Sequence, residues 1–272
     1  MNIDFLMPCR IESEDRLKNV ITSVSYLLHN FPESRVLVKE VDSHSTFKFR
    51  ALPEIRKYVE TKNLIHIYEE SDETFFHKTR ILNDLLVASE ADIIFNHDVD
   101  MLLPVRSYEL AYRGISEGNC DVVYPFGCGV YQWAVDYPVE LYGKFLESKF
   151  NLNLLKQSSK RSSSTIGWGQ MIKREVEIKM GLWNENFISW GAEDCEFYYR
   201  LAICGAKLGR IDDDIYHLEH GRTFNSHYHN PNFMENHKLW QWFRQQPLEK
   251  VAEYYSQQDY LKKRREELNV SI

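Results

Sequence analysis

Asp92-Ile93-Ile94-Phe95-Asn96-His97-Asp98-Val99-Asp100 is the stretch that decides the fold, because its apolar run leads directly into two carboxylates. The apolar run predicts a buried strand, and ligands of open α/β sheets bind beyond the carboxyl ends of the strands. Asp98 and Asp100 are two positions apart, so an extended chain would point both side chains to the same side. Paired carboxylates suit Mg²⁺ or Mn²⁺, which often also hold substrate phosphates. Because Asp-x-Asp is frequent by chance, this motif alone fits two interpretations equally well: a metal site, or polar residues that simply end a strand.

Strands and helices alternate on both sides of this stretch. Strands are predicted at residues 3–8, 35–41, 64–68, 93–96 and 122–125. Helices are predicted from the Ser13 cap onward and at residues 53–60, 78–89 and 194–204. This order predicts an α/β fold with a mostly parallel, Rossmann-like sheet and helices on both faces. The Ser-rich segment 158–165 predicts a polar, mobile loop that could order over a bound donor.

Composition narrows the class of protein. The chain has 272 residues, 43% of them hydrophobic and 14% aromatic, which is sufficient for a substantial core. A net charge of −7 argues against a broad nucleic-acid surface. The five cysteines form no Cys-x-x-Cys motif, so neither a zinc site nor a disulfide framework is expected. With no signal peptide or membrane span in the sequence, we expect a cytoplasmic protein.

Two more constellations carry possible chemistry. Trp190-Gly191-Ala192-Glu193-Asp194 offers a stacking ring and a general base near a sugar hydroxyl. The same residues also fit a plain helix start, where acids complement the dipole. His217-Leu218-Glu219-His220-Gly221-Arg222 offers imidazole ligands for a divalent metal and a cation for a phosphate. On an extended segment the two histidines would point to opposite sides, so spacing does not tell which one binds.

Taken together, these motifs resemble GT-A-fold glycosyltransferases, especially the beta-1,4-galactosyltransferase catalytic domain and chondroitin-polymerase-type family 2 enzymes. The family's metal-binding Asp-Val-Asp is similar to residues 98–100, its Trp-Gly-Gly-Glu-Asp to residues 190–194, and its late metal-ligand His to His220. Three further segments, which also resemble the family, extend the resemblance over residues 3–222: Met7-Pro8-Cys9-Arg10, Phe76-His77-Lys78-Thr79-Arg80-Ile81-Leu82-Asn83 and Thr165-Ile166-Gly167-Trp168-Gly169.

The resemblance implies a Mn²⁺- or Mg²⁺-dependent, inverting transfer of a sugar from a nucleotide-diphosphate sugar, expected to be UDP-linked, to a glycan, glycolipid or glycoprotein hydroxyl. Asp194 would be the catalytic base and Glu193 would orient the acceptor. The implied metal ligands are Asp100, His220, His217 and Asp98. The implied donor contacts are Pro8, Arg10, Glu40, Asp42, Lys78, Arg80, Asp98, Val99 and Arg222. The implied acceptor contacts are Trp190, Gly191, Trp168 and Glu193.

Departures from the family pattern keep alternatives open. Ala192 replaces a family Gly, and Glu12 stands where the family often has a second Arg, so the donor sugar is left open. A retaining N-acetylgalactosaminyltransferase-like enzyme would have Asn after the Glu. A haloacid-dehalogenase-type phosphatase would carry its Asp pair after the first strand. A non-catalytic nucleotide-sugar-binding module is disfavoured by the intact carboxylates.

The predicted domain organisation has two parts. Residues 1–235 would form the GT-A domain, with a nucleotide half of about 1–104 and an acceptor half of about 105–235. Residues 236–272 would form a helical C-terminal extension. Its basic run, Lys262-Lys263-Arg264-Arg265, is either a solvated helix end or a peripheral contact with an anionic membrane.

Overall fold

The computed structural model describes residues 1–270. Within them lie the strands β1–β11, in chain order Asp4–Cys9, Arg35–Asp42, Leu64–Glu70, Ile93–His97, Met101–Leu102, Val122–Tyr124, Gly129–Val135, Ser159–Ser164, Gly169–Lys173, Leu208–Arg210 and Ile215–Leu218. The α-helices α1–α11 are Glu14–Asn30, Leu52–Ile55, Lys78–Ala88, Val105–Ser116, Val139–Glu147, Leu152–Lys156, Arg174–Lys179, Glu193–Ile203, Pro231–Phe243, Leu248–Ser256 and Asp259–Glu267.

The large sheet has the strand order β10-β6-β9-β4-β1-β2-β3, with helices packed around it. Its pairs are parallel except the two made by β9, which lies antiparallel between β4 and β6. The carboxyl ends of the six other strands therefore meet at one edge, where ligands of α/β proteins bind. The predicted mostly parallel α/β sheet is confirmed.

Local sequence signals explain the best-predicted elements. Strands β1 and β4 are buried along their whole length, as their apolar runs predict. Helix α1 begins after Ser13, whose hydroxyl accepts the Arg16 backbone N–H at 3.2 Å. The predicted helix at 53–60 is wrong in extent. The chain already coils as a π-helix at Phe47–Ala51, and α2 ends at Ile55.

A second sheet, with the order β5-β11-β7-β8, was not expected from the sequence. The loop predicted at 158–165 is wrong, because β8 pairs antiparallel with β7 over most of this segment. Arg161 lies 3.9 Å from the centroid of the Trp133 ring and pairs with Asp214 at 2.7 Å. A polar edge strand is stable here because its backbone bonds to β7 and its side chains face solvent.

The C-terminal helices α9–α11 pack onto the sheet domain. Tyr255 is buried and its hydroxyl donates to Glu196 at 2.7 Å. Arg264 is also buried and pairs with Asp84 at 2.6 Å and Glu185 at 2.9 Å. These helices start at Pro231, five residues before the predicted extension. The predicted domain boundaries themselves stay a prediction.

The basic run on α11 is largely used within the protein. Arg264 points inward, Lys262 pairs with Asp259 at 2.9 Å, and Lys263 lies 3.7 Å from Glu267. These pairs favour the solvated helix end, and membrane contact stays a prediction. Among residues 1–270, no helix combines the length and apolar character that crossing a bilayer requires.

Candidate functional site

The Asp-x-Asp motif lies at the carboxyl end of β4, as the sequence predicts, but it forms a turn, so the prediction that both side chains point to the same side is wrong. The Asp98 backbone N–H donates to the Trp168 carbonyl at 3.0 Å, and the Val99 carbonyl accepts from Ser23 at 2.6 Å. Val99 itself is buried. The two carboxylates have different partners, because Asp98 contacts Lys78 whereas Asp100 contacts His220. The turn, rather than an extended strand, therefore decides where each carboxylate points.

Asp100, His217 and His220 form a cluster that could hold a metal ion, with one ligand atom of each within 4.8 Å of the others. The Asp100 carboxylate lies 2.9 Å from His220 Nε2 and 3.9 Å from His217 Nε2. Strand β11 pairs with β5, which places His217 opposite Met101. Because β11 ends at Leu218, the chain turns before His220, and both rings reach the same carboxylate. The expectation of opposite directions is therefore wrong.

In both histidines of this cluster, the ring nitrogen that faces away from Asp100, Nδ1, contacts an oxygen atom. His217 Nδ1 lies 2.7 Å from a Glu219 oxygen, and His220 Nδ1 lies 2.9 Å from the Gly221 carbonyl. Such contacts fix the ring orientation and leave Nε2 as the metal-binding nitrogen in metalloproteins. The donor set therefore fits a divalent cation. Asp98 does not belong to the cluster.

Charged neighbours inside the cluster shift the pKa values of Asp100 and His217. Burial acts to raise the pKa of Asp100, but the hydrogen bond to His220 and the nearby His217 lower that pKa below its usual range. Burial acts to lower the pKa of His217, but the bond to Glu219 and the charge of Asp100 raise it. A carboxylate that stays ionised is the form that binds metal.

Lys78 joins the Asp-x-Asp motif to the Glu-Asp pair. Its ammonium lies 2.9 Å from Asp98 and 3.8 Å from both Glu193 and Asp194. Burial would lower the pKa of Lys78, but the three carboxylates raise it, so Lys78 remains charged. It is the first residue of α3, whose N-terminus adds positive character beside it. Two distant sequence motifs thus meet at one cation.

Glu193 and Asp194 open helix α8 and have different environments. Glu193 is 5% exposed, and its carboxylate accepts the Gly191 backbone N–H at 3.0 Å. Asp194 is more accessible, and burial together with the neighbouring Glu193 and Asp98 charges raises its pKa to about 8, against the opposing effect of Lys78. The backbone of Gly167 closes one side, since a Cβ there would lie 3.2 Å from Asp194 Oδ2. A carboxyl whose pKa lies near the operating pH can exchange a proton with a neighbouring group, which suits a general base.

Strained backbone is concentrated around this pair. Trp168, Ser189 and Ala192 have φ values of 69°, 64° and 65°. The left-handed region costs a residue with a Cβ about 1–2 kcal/mol, so surrounding contacts must hold it. Ala192 stands where the resembling family has Gly, and it adopts the conformation that Gly favours.

The predicted acceptor residues pack against aromatic rings near the Glu-Asp pair. Trp190 is 38% exposed and stacks on Phe233 at 5.2 Å between ring centroids. The Arg222 guanidinium lies 5.5 Å from the same indole, so this predicted donor contact lies beside a predicted acceptor contact. Gly191 lies against Phe233, and Trp168 packs edge-on against Phe126.

The predicted donor contacts divide into two groups. Pro8 and Arg10 lie at the carboxyl end of β1, and the Arg10 guanidinium donates to the Val41 and Thr74 carbonyls. Asp42 ends β2 and its carboxylate caps the Ser43 N–H.

Two further predicted donor contacts, Glu40 and Arg80, are engaged by other residues of the protein. Glu40 is fully buried, and its carboxylate accepts from Ser45, Phe47 and His66. Arg80 pairs with Glu69 at 3.0 Å and Glu73 at 3.2 Å.

Asn225, which no sequence motif marks, connects the segments that carry the motifs. Its side chain donates to Glu12 at 2.8 Å and accepts from the Phe76 N–H at 2.8 Å, while its carbonyl accepts from Ser189 at 3.1 Å. Glu12, at the position of the missing family Arg, thus anchors the chain that follows Arg222. Asparagine in a loop has no pattern that identifies such a role.

Comparison with known proteins finds one matching family and several solved structures with a similar fold. Residues 149–223 match the family described as the N-terminal domain of galactosyltransferase. A crystal structure of S. aureus TarS 1–349 in complex with UDP-GlcNAc is 15% identical, with a TM-score of 0.57 over 89% of this chain and 66% of that chain. Mannosyltransferase PcManGT from Pyrobaculum calidifontis, in complex with GDP-Man and Mn²⁺, is 18% identical, with a TM-score of 0.51 over 81% of this chain and 57% of that chain.

These similarities are distant, and the chain spans less than two thirds of either protein. No curated protein matches the sequence. The predicted GT-A fold is confirmed by the solved structures. The galactosyltransferase-like segment, which contains Asp194, His217 and His220, supports the predicted enzyme class, a glycosyltransferase.

Proposed function

We propose that the protein is a metal-dependent, inverting glycosyltransferase that moves a sugar from a UDP-linked donor to a hydroxyl of a glycan or glycoconjugate. The observation that carries this proposal is the position of Lys78 between Asp98 and the Glu193-Asp194 pair. A cation there lies between the motif expected to hold the donor and the residues expected to hold the acceptor.

The donor half would manage the charge of the leaving diphosphate. A divalent cation held by Asp100, His217 and His220 would supply positive charge to the diphosphate oxygens. Lys78 would add a second positive charge from the α3 terminus, exchanging part of its contact with Asp98 for a phosphate oxygen. Asp98 would then be able to accept a hydrogen bond from a ribose hydroxyl.

The acceptor half would supply the base. Asp194 would take the proton of the acceptor hydroxyl as that oxygen attacks the anomeric carbon and the bond to the diphosphate breaks. Its pKa of about 8 keeps the carboxylate basic enough to accept this proton. Glu193 would accept the Gly191 N–H and hold the segment that carries Trp190. Direct attack on the face opposite the leaving group inverts the anomeric configuration.

The configuration of the product tests this proposal. Purified protein would be incubated with a panel of UDP-sugars, Mn²⁺ and a glycan array, and the anomeric proton coupling of a scaled-up product would be measured by NMR. The proposal predicts the configuration opposite to that of the donor. Retention would indicate a mechanism like that of the retaining relatives and would remove the base role of Asp194.

A further inference from the structure

Arg210, which has no acidic partner among residues 1–270, lies at the carboxyl edge of the large sheet. Arg210 is the last residue of β10, which runs parallel to β6 at the end of the sheet opposite β3. Among residues 1–270 its hydrogen bonds go only to main-chain carbonyls, and it takes part in no ion pair. The side chain is half-buried. A partly buried cation of this kind is well suited to an external anion.

The contacts of Arg210 fix which edge of its guanidinium is free. Nη1 donates to the Phe126 carbonyl at 3.1 Å and to the Thr165 carbonyl at 2.9 Å, which uses both of its N–H groups. The plane lies against the Tyr124 and Phe126 rings, with Cζ at 5.1 and 5.5 Å from their centroids. The Nε–Nη2 edge has no partner within residues 1–270 and is not sealed from solvent. That edge is the fork that binds a carboxylate or phosphate through two hydrogen bonds.

The free edge belongs to the same wall as the candidate base. Thr165, which accepts from Arg210, is two residues from Gly167, and Gly167 lies against Asp194. On α8, Tyr198 follows Asp194 by one turn and packs edge-on against Tyr124 at 5.6 Å. Tyr124 therefore contacts both Arg210 and Tyr198, the residue one turn from the base. Burial raises the pKa of Tyr124, the Asp194 charge adds to this rise, and Arg210 opposes it.

We propose that Arg210 binds an anionic group of the acceptor, so that the substrate class of this site is a glycan bearing a carboxylate, phosphate or sulfate near the hydroxyl that is glycosylated. This inference rests on the proposed function, because it takes Asp194 as the group that the acceptor hydroxyl reaches. Arg210 is a specificity residue here, since it would contact the acceptor but not the reacting atoms.

An acceptor array with matched chemistry tests the inference. The array would carry neutral glycans beside uronic-acid, phosphorylated and sulfated glycans, and labelled transfer would be measured for the wild type, Arg210→Gln and Arg210→Lys. We expect the wild type to prefer anionic acceptors, and Arg210→Gln to reduce their kcat/KM by about 10- to 100-fold. Arg210→Lys should recover part of the loss, because it keeps the charge without the fork. The uronic-acid, phosphate and sulfate arms identify the anion.

Arg174→Gln is the matched control. Arg174 also donates to a main-chain carbonyl, that of Leu86 at 3.4 Å. It follows β9, whose antiparallel direction puts it at the opposite edge of the sheet. This variant should leave the acceptor preference unchanged. Thermal melts of all variants show whether each one is folded.

Two results would overturn the inference. One is transfer by the wild type to neutral acceptors only. The other is an equal loss on neutral and anionic acceptors in folded Arg210→Gln, which would mean that Arg210 only holds the Thr165 segment. Donor hydrolysis without acceptor reports separately on the proposed function. If donor is neither bound nor hydrolysed, the proposed function fails, whereas transfer only to neutral acceptors refutes the role of Arg210 and leaves the proposed function standing.

Discussion

Replacing Asp194 by Asn should remove activity and, at high pH, stabilise the protein. Burial raises the pKa of this carboxyl to about 8 in the folded state, and in an unfolded chain an Asp titrates near pH 3.9. Between these values the folded protein keeps a proton that the unfolded chain has released. The free energy of unfolding therefore falls as pH rises from about 4 to about 8 on account of this group.

The size of the effect follows from that difference. One pKa unit corresponds to about 1.4 kcal/mol, and four units would give roughly 5–6 kcal/mol if no other group responded. The Asp194 side chain is 23% exposed and Lys78 lies 3.8 Å away, so solvent and the neighbouring charge reduce this effect on the free energy of unfolding. We expect Asn to raise the free energy of unfolding by about 1–3 kcal/mol at pH 9 and by about a quarter of that amount at pH 5.

Urea denaturation at pH 5, 7 and 9 measures this, and transfer assays on the same samples should show a fall of roughly 10²- to 10⁴-fold. Asp121→Asn is the matched control, because the hydrogen bond to Lys173 lowers the pKa of Asp121 despite its burial. The Asp121→Asn change should destabilise the protein above pH 4, where the Asp121 carboxylate is ionised, and should leave transfer unchanged. If Asp194→Asn retains turnover, or is destabilised equally at all three pH values, the reasoning is refuted.

Three other changes probe the surroundings of the site. Ala192→Gly should stabilise the protein by about 0.5–1 kcal/mol in urea melts, since it relieves a φ of 65°; a loss of stability would contradict the strain. Trp190→Ala should raise the acceptor KM about tenfold while the donor KM stays unchanged, and an equal rise in both would argue against a stacking platform. Arg264→Ala should lower the free energy of unfolding by about 3 kcal/mol by leaving Asp84 and Glu185 unpaired, whereas Arg265→Ala, as its control, should have little effect.

The sequence predicted the parallel half of the fold because its signals are local. A capped amphipathic helix and fully buried strands are visible in short windows, as α1 and β4 show. The second sheet was missed because its strands are short or polar and depend on distant partners. β8 forms through its pairing with β7 and the stacking of Arg161 on Trp133, neither of which a short window contains.

The sequence motifs identify which residues belong to the candidate site, but they do not show which way the side chains point. Asp100, His217 and His220 were singled out, but their convergence depends on where β11 ends. Lys78 and Arg80 are both basic residues at one helix start, yet two helical positions separate them by about 200°, so only one reaches the carboxylates. Arg210 lies in a short strand with no motif, and its free edge becomes visible only once its carbonyl partners are known.

Calorimetric titration of UDP, with and without Mn²⁺, tests the central claim most directly, because the claim is that Asp100, His217 and His220 hold a cation for the donor. The account predicts measurable binding only with the ion, and weakening of at least tenfold in Asp100→Ala and His220→Ala. A His237→Ala control should bind as the wild type does. Equal binding by the wild type and both variants in the presence of a chelator would contradict the account.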